Sequence, residues 1–135
     1  MNPVAFLKLY GVTGAVLFAC DLLWLGVVAK DFYRRYLPTL LRTDVRWGPG
    51  LLFYALYVAA IIVFVVQPAI ERQSLGRAVA LGAFFGLTAY ATYDLTSLAM
   101  IRDFPTLVAV VDIAWGTALT AAVSAAAYTI GRMVV

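Results

Sequence analysis

Residues Gly82–Phe104 read GAFFGLTAYATYDLTSLAMIRDF, an apolar run long enough to cross a bilayer that carries an acid, Asp94, within it. An ionised carboxylate in hydrocarbon costs roughly 3 kcal/mol on insertion scales and more in simulations. A chain that places one there must hide it from lipid, neutralise it, or use it. The same conflict recurs twice, at Asp21 and at Asp112, each inside its own apolar run. Three such positions constrain the fold more than any other feature of the chain.

The 135 residues are 64% hydrophobic and 13% charged, against about 25% charged in an average soluble domain. At about 20 residues per spanning helix this length holds four spans and little else. The expected fold is therefore all-α, a polytopic four-transmembrane-helix bundle in a single domain. Histidine is absent and Cys20 is the one cysteine. No metal site and no cofactor is expected within one chain, since zinc, haem and iron–sulfur centres are built on His and Cys. A Ser-His-Asp or Cys-His mechanism is excluded on the same ground. The net charge of +3 is spread over helix ends, which argues against a nucleic-acid partner and for contact with membrane lipids.

In chain order, spans are expected at about 4–29, 51–66, 75–100 and 106–130. The N-terminal run is read as retained, since it continues past signal-peptide length and lacks a clear cleavage site. Residues 30–49 form a basic and aromatic connection. There Lys30, Arg34, Arg35, Arg42 and Arg46 alternate with Phe32, Tyr33, Tyr36 and Trp47, a mixture suited to the headgroup level or to an ordinary loop. Pro49-Gly50 is taken as the turn into the second span and Gln67-Pro68 as its exit. The second span has Tyr54 and Tyr57 as its polar handles. On the third, Gly82, Gly86, Tyr90 and Asp94 form a ladder at i+4 spacing, and Gly82-x-x-x-Gly86 admits a close neighbour. Basic residues number six on one side of the membrane and four on the other, leaning toward both termini outside the cytoplasm. A faint internal repeat aligns Tyr10–Thr13, Asp21-Leu22 and Lys30–Phe32 with Phe85–Thr88, Asp94-Leu95 and Arg102–Phe104. Taken at face value, it makes the bundle two duplicated helical hairpins.

Depth links the three acids. Asp21 precedes Lys30 by nine residues, Asp94 precedes Arg102 by eight, and Asp112 follows Arg102 by ten. At a rise of 1.5 Å per residue all three lie about 12–15 Å from one face of the membrane. They are expected to point inward and share one layer, with Trp24, Tyr57, Tyr90, Tyr93, Thr96, Ser97 and Trp115 as donors and pocket lining. Three carboxylates without a cation at their depth repel. Protonation, a bound cation, or inward snorkelling of Lys30 or Arg102 would relieve this. The plainer alternative is that each Asp ties helices together through hydroxyl or indole donors.

The motifs Asp21-Leu-Leu-Trp24-Leu-Gly26 with Phe32-Tyr33-Arg34-Arg35, Ala91-Thr92-Tyr93-Asp94-Leu95-Thr96, and Val111-Asp112-Ile-Ala-Trp115-Gly116 together resemble a bacterial family of small four-helix membrane proteins, domain of unknown function 2177. The resemblance covers nearly the whole chain. It implies a multi-pass protein of a bacterial inner membrane and supplies no catalytic roles.

Three functions fit these observations. The first is a small transporter or ligand-binding protein, with Asp21, Asp94 and Asp112 handling a proton or cation beside a pocket for an apolar or cationic ligand, plausible as a homo-oligomer. The second is a membrane-embedded enzyme using carboxylate acid–base chemistry on a lipid or isoprenoid. The third is an accessory subunit of a membrane complex.

Overall fold

The computed structural model describes residues 2–41 and 46–134. Among them there are helices and no strands. Four helices are long and apolar enough to cross a membrane: Pro3–Val28, Trp47–Glu71, Leu75–Met100 and Thr106–Val134. Their surface confirms the environment. Phe18, Leu22, Leu52, Phe64, Phe84, Leu95 and Val110 all stand exposed on the outside of the bundle, an arrangement stable only against acyl chains.

Local chemistry fixes several helix ends. Asn2 caps the first span by accepting the Ala5 N–H at 2.7 Å, with Pro3 behind it in the first turn. Ser74 caps the third span, accepting from the Arg77 N–H at 3.0 Å. Both are the usual solution for the orphan donors of a helix start.

The second span is longer than expected. Pro49 and Gly50 lie in its first turn, and Gln67-Pro68 continues the helix rather than ending it. A wide-turn stretch, Ile62–Val66, ends two residues before Pro68, and the Gln67 N–H reaches back five residues to the Ile62 carbonyl. Proline lacks a donor and its ring crowds the carbonyl one turn back. A local π-turn relieves both problems, so the helix continues to Glu71. The fourth span likewise continues past residue 130 to Val134.

The third and fourth spans form the most extensive helix pair. A Cβ on Gly86 would stand 2.3 Å from the Gly116 carbonyl oxygen, and one on Gly116 would stand 2.1 Å from the Tyr90 ring. Only glycine permits this approach, as the small-residue spacing of the third span implies. Buried positions on the first span, Ala5, Leu9, Thr13, Leu17 and Asp21, follow the same four-residue spacing. Leu9, Leu17, Val58, Ile61, Leu119 and Val123 pack together as an aliphatic core. The connection after the first span is more ordered than a plain loop. It contains a helix at Phe32–Tyr36, and Leu37 is buried with Phe104, Val108 and Ala109. Arg42, one of the basic set, lies outside the described residues.

Candidate functional site

Asp21 ends the buried ladder of the first span and meets two donors. The Tyr54 hydroxyl donates to Oδ2 at 2.5 Å, and the Trp115 indole N–H donates to Oδ1 at 3.3 Å. One carboxylate thus ties the first, second and fourth spans, as a buried acceptor must if it is to offset its lost hydration.

Trp115 stacks on Trp24, with ring centroids 4.4 Å apart and planes 6° from parallel. Trp24 opens a second wide-turn stretch, Trp24–Val28, which closes the first span. Its indole N–H donates to the Tyr33 hydroxyl at 3.0 Å, and that hydroxyl donates to Asp112 Oδ1 at 2.8 Å. The two Asp-x-x-Trp motifs therefore serve each other. Trp115, following Asp112, caps Asp21 directly, and Trp24, following Asp21, reaches Asp112 through Tyr33. Burial above all, together with the adjoining Asp112, pushes the Tyr33 phenol above its ordinary range, against the opposing effect of the Trp24 N–H. It keeps its proton and stays a donor.

Asp94 differs. It is 0% exposed, and neither of its oxygens has a hydrogen-bond partner among the described residues. The acid next to it is Asp112 on the fourth span. Two ionised carboxylates so placed repel strongly in a low dielectric. A shared proton, or a cation, resolves both the repulsion and the missing donor.

The site opens in two directions. A cleft of about 570 Å³ is lined by Asp21, Asp112, Tyr54, Tyr90 and Trp115 and also by Lys30 and Arg34, the two cations being exposed where Asp21 is buried and Asp112 half-buried. A second, largely apolar cleft of about 320 Å³ is bounded by Phe53 on the second span, Ala89, Tyr90 and Tyr93 on the third, and Asp112 on the fourth. Phe53, Tyr90 and Asp112 belong to both. With Phe53 47% and Tyr93 57% exposed on the bundle exterior, the second cleft faces the acyl region.

Of the residues expected at the site, Asp21, Asp112, Trp24, Tyr90 and Trp115 line the larger cleft, and Tyr93 lines the side cleft. Asp94 lines neither. Thr96 was expected in the pocket, but it faces outward and donates its hydroxyl to the Thr92 carbonyl and, at 3.0 Å, to that of Tyr93. A threonine can satisfy itself on its own helix, so lipid exposure costs it little. Ser97 is buried but lines neither cleft. Tyr57 pairs with Thr120 at 2.8 Å rather than with an acid. Sequence reasoning names Tyr54 only as a polar handle and Lys30 only as a cation that could turn inward; it does not place Tyr54, Tyr33 or Arg34 at the site, where the structure has them lining the cleft. The signal was present for Tyr54, one of two polar groups in an otherwise apolar span.

Four apolar spans, an exterior of exposed aliphatic and aromatic side chains, and buried carboxyls turned inward define a multi-pass helical membrane protein. The chain belongs to the family described as "Predicted membrane protein (DUF2177)", which it matches over residues 6–129. No curated protein and no solved structure matches it.

Proposed function

We propose that this is a small ligand-binding or transport protein of the membrane interior, in which the Asp94–Asp112 pair holds a proton and the adjoining cleft takes a ligand bearing a cationic group. The observation that supports this reading is Asp94, fully buried, without a donor, and set against the one carboxyl that lines both clefts. A cation arriving at Asp112 would replace the shared proton, which couples ligand binding to proton release. Stacked Trp24 and Trp115, with Tyr90 and Tyr54, supply aromatic faces suited to such a group. Asp21 adds negative charge to the same cleft. Ligand reaches Asp112 through the apolar side cleft, which spares a cation the passage past Lys30 and Arg34. Four helices make a thin wall for a translocation path, so a homo-oligomer in a bacterial inner membrane is part of the proposal.

Proteoliposomes carrying an internal pH dye test this. Addition of a lipophilic amine is expected to release protons from wild-type protein, with affinity rising as pH rises because proton and cation compete. Unchanged proton release or flux in Asp94→Asn overturns the reading.

The side cleft also favours a second reading, an enzyme acting on a lipid or isoprenoid, because a lipid substrate could reach Asp112 without leaving the bilayer. It ranks below the first. Two carboxyls working as an acid–base pair must both face the reacting bond; Asp94 lines neither cleft, and Asp21, which shares the larger cleft with Asp112, is already held by Tyr54 and Trp115. Chemical turnover of a supplied lipid that is lost in Asp112→Asn would reverse the ranking.

A further inference from the structure

The site has two arms that meet at Asp112, and their chemistry differs. One arm runs toward the connecting segment between the first and second spans and carries the exposed Lys30 and Arg34. The other is apolar and opens between the second and third spans. Lys30 follows Asp21 by nine residues, about 13 Å of helix rise, which puts the cations near headgroup level while the acids sit in the hydrocarbon layer. No acid lines the cleft among the described residues except Asp21 and Asp112. Asp21 is already held by two neutral donors, so Asp112 is the acid left to receive a ligand's positive group.

We propose that the ligand is a membrane phospholipid with a zwitterionic head, its phosphate held by Lys30 and Arg34, its primary ammonium directed to Asp112, and its acyl chains leaving through the side cleft past Phe53 and Tyr93. The charge order of the cleft, cations exposed and acids more buried, matches a phosphate and an amine on one molecule better than either group alone. The apolar arm supplies what a water-soluble zwitterion would not need. Arg34 gives phosphate a fork of donors and Lys30 a point charge. This inference deepens the proposed function and rests on Asp112 being the cation-binding acid.

Three probes separate the parts: phosphatidylethanolamine with phosphate and amine, phosphatidylglycerol with phosphate alone, and a long-chain alkylamine with neither phosphate nor glycerol. Binding to the purified full chain in detergent is read by quenching of tryptophan fluorescence and by native mass spectrometry. Phosphatidylethanolamine is expected to bind about tenfold tighter than either other probe, since each lost charge contact at a partly buried site is of that order. The double variant Lys30→Gln, Arg34→Gln should weaken both phospholipids about tenfold and leave the alkylamine unchanged. Asp112→Asn, which keeps a hydrogen-bonding group for Tyr33, should weaken phosphatidylethanolamine and the alkylamine and leave phosphatidylglycerol unchanged. If the alkylamine binds as tightly as phosphatidylethanolamine and ignores Lys30 and Arg34, the zwitterionic lipid is wrong while the cation-binding cleft stands. If the Asp112 variant binds all three as the wild type does, both readings fall. Circular dichroism of each variant against wild type identifies any loss that comes from unfolding.

Discussion

Asp21 and Asp94 both lie on buried ladders spaced by four residues, one on the first span and one on the third, yet their surroundings are opposite. Asp21 receives a phenol and an indole N–H from two other spans. Asp94 receives no donor among the described residues and faces another carboxyl. The difference separates two uses of an acid in a membrane. Asp21 has what a helix-linking residue needs, because each of its two oxygens accepts from a donor on another span. On the proposed reading, Asp94 adds nothing to stability that an apolar side chain would not. An acid held at such a cost points to its proton. The helix-linking reading accounts for the donors on Asp21, and the proposed proton-holding reading is aimed at Asp94, which has no donor among the described residues.

The sharpest way to break this contrast is infrared spectroscopy of the carboxyl stretch. The proposed shared proton gives a protonated-carboxyl band at neutral pH, and Asp94→Asn is expected to abolish it entirely. Asp21→Asn should leave it in place. A band that persists in Asp94→Asn would remove the distinction between the two acids.

Stability gives the next largest effect. Asp21→Leu strands the Tyr54 hydroxyl and the Trp115 N–H together and is expected to cost about 2–3 kcal/mol. Asp94→Leu, with the same branching, some added bulk and no donor to strand, is expected to cost less than Asp21→Leu, about 1 kcal/mol or below. Equilibrium unfolding in mixed micelles measures both. Equal losses would mean that Asp94 has a structural partner after all.

A smaller effect isolates one bond. Tyr54→Phe removes a single donor from Asp21 while Trp115 stays, so about 1 kcal/mol is expected, near the average for hydrogen bonds within membrane bundles. Its effect on the carboxyl band should be nil.

How much of this was legible in the chain follows from what one dimension records. Depth is linear in residue number, so spacing alone gives Asp21, Asp94 and Asp112 similar expected depths, and the structure sets Asp21 and Asp112 on one cleft. A close helix neighbour on the third span was available too, because Gly82 and Gly86 recur at one turn, but that the neighbour is the fourth span was not. Rotation is less well encoded. Whether Tyr54 or Tyr57 faces the acids depends on how the second span turns about its axis, and an apolar span with no charged residue gives that turn no marker. The Tyr33 contact needed the path of the connection to be known. The length of the second span was misjudged because Pro68 reads as a stop, and the preceding π-turn that accommodates it has no sequence signature beyond the proline itself.

Thr96 tests the same point from the opposite side. Spacing set it two residues from Asp94 at the right depth, and depth alone made it a pocket residue. Two residues along a helix is about 200° of rotation, so a side chain there faces away from Asp94. Its hydroxyl turns back to its own helix, leaving the methyl to face the acyl chains. Thr96→Val is therefore expected to change stability by less than about 0.5 kcal/mol and to leave the carboxyl band and ligand binding as they are. Unfolding midpoints and the same fluorescence titration measure this. A clear loss of binding in Thr96→Val would mean that the third span sits rotated in the working protein, and the isolation of Asp94 from donors would then have to be re-derived from that new face.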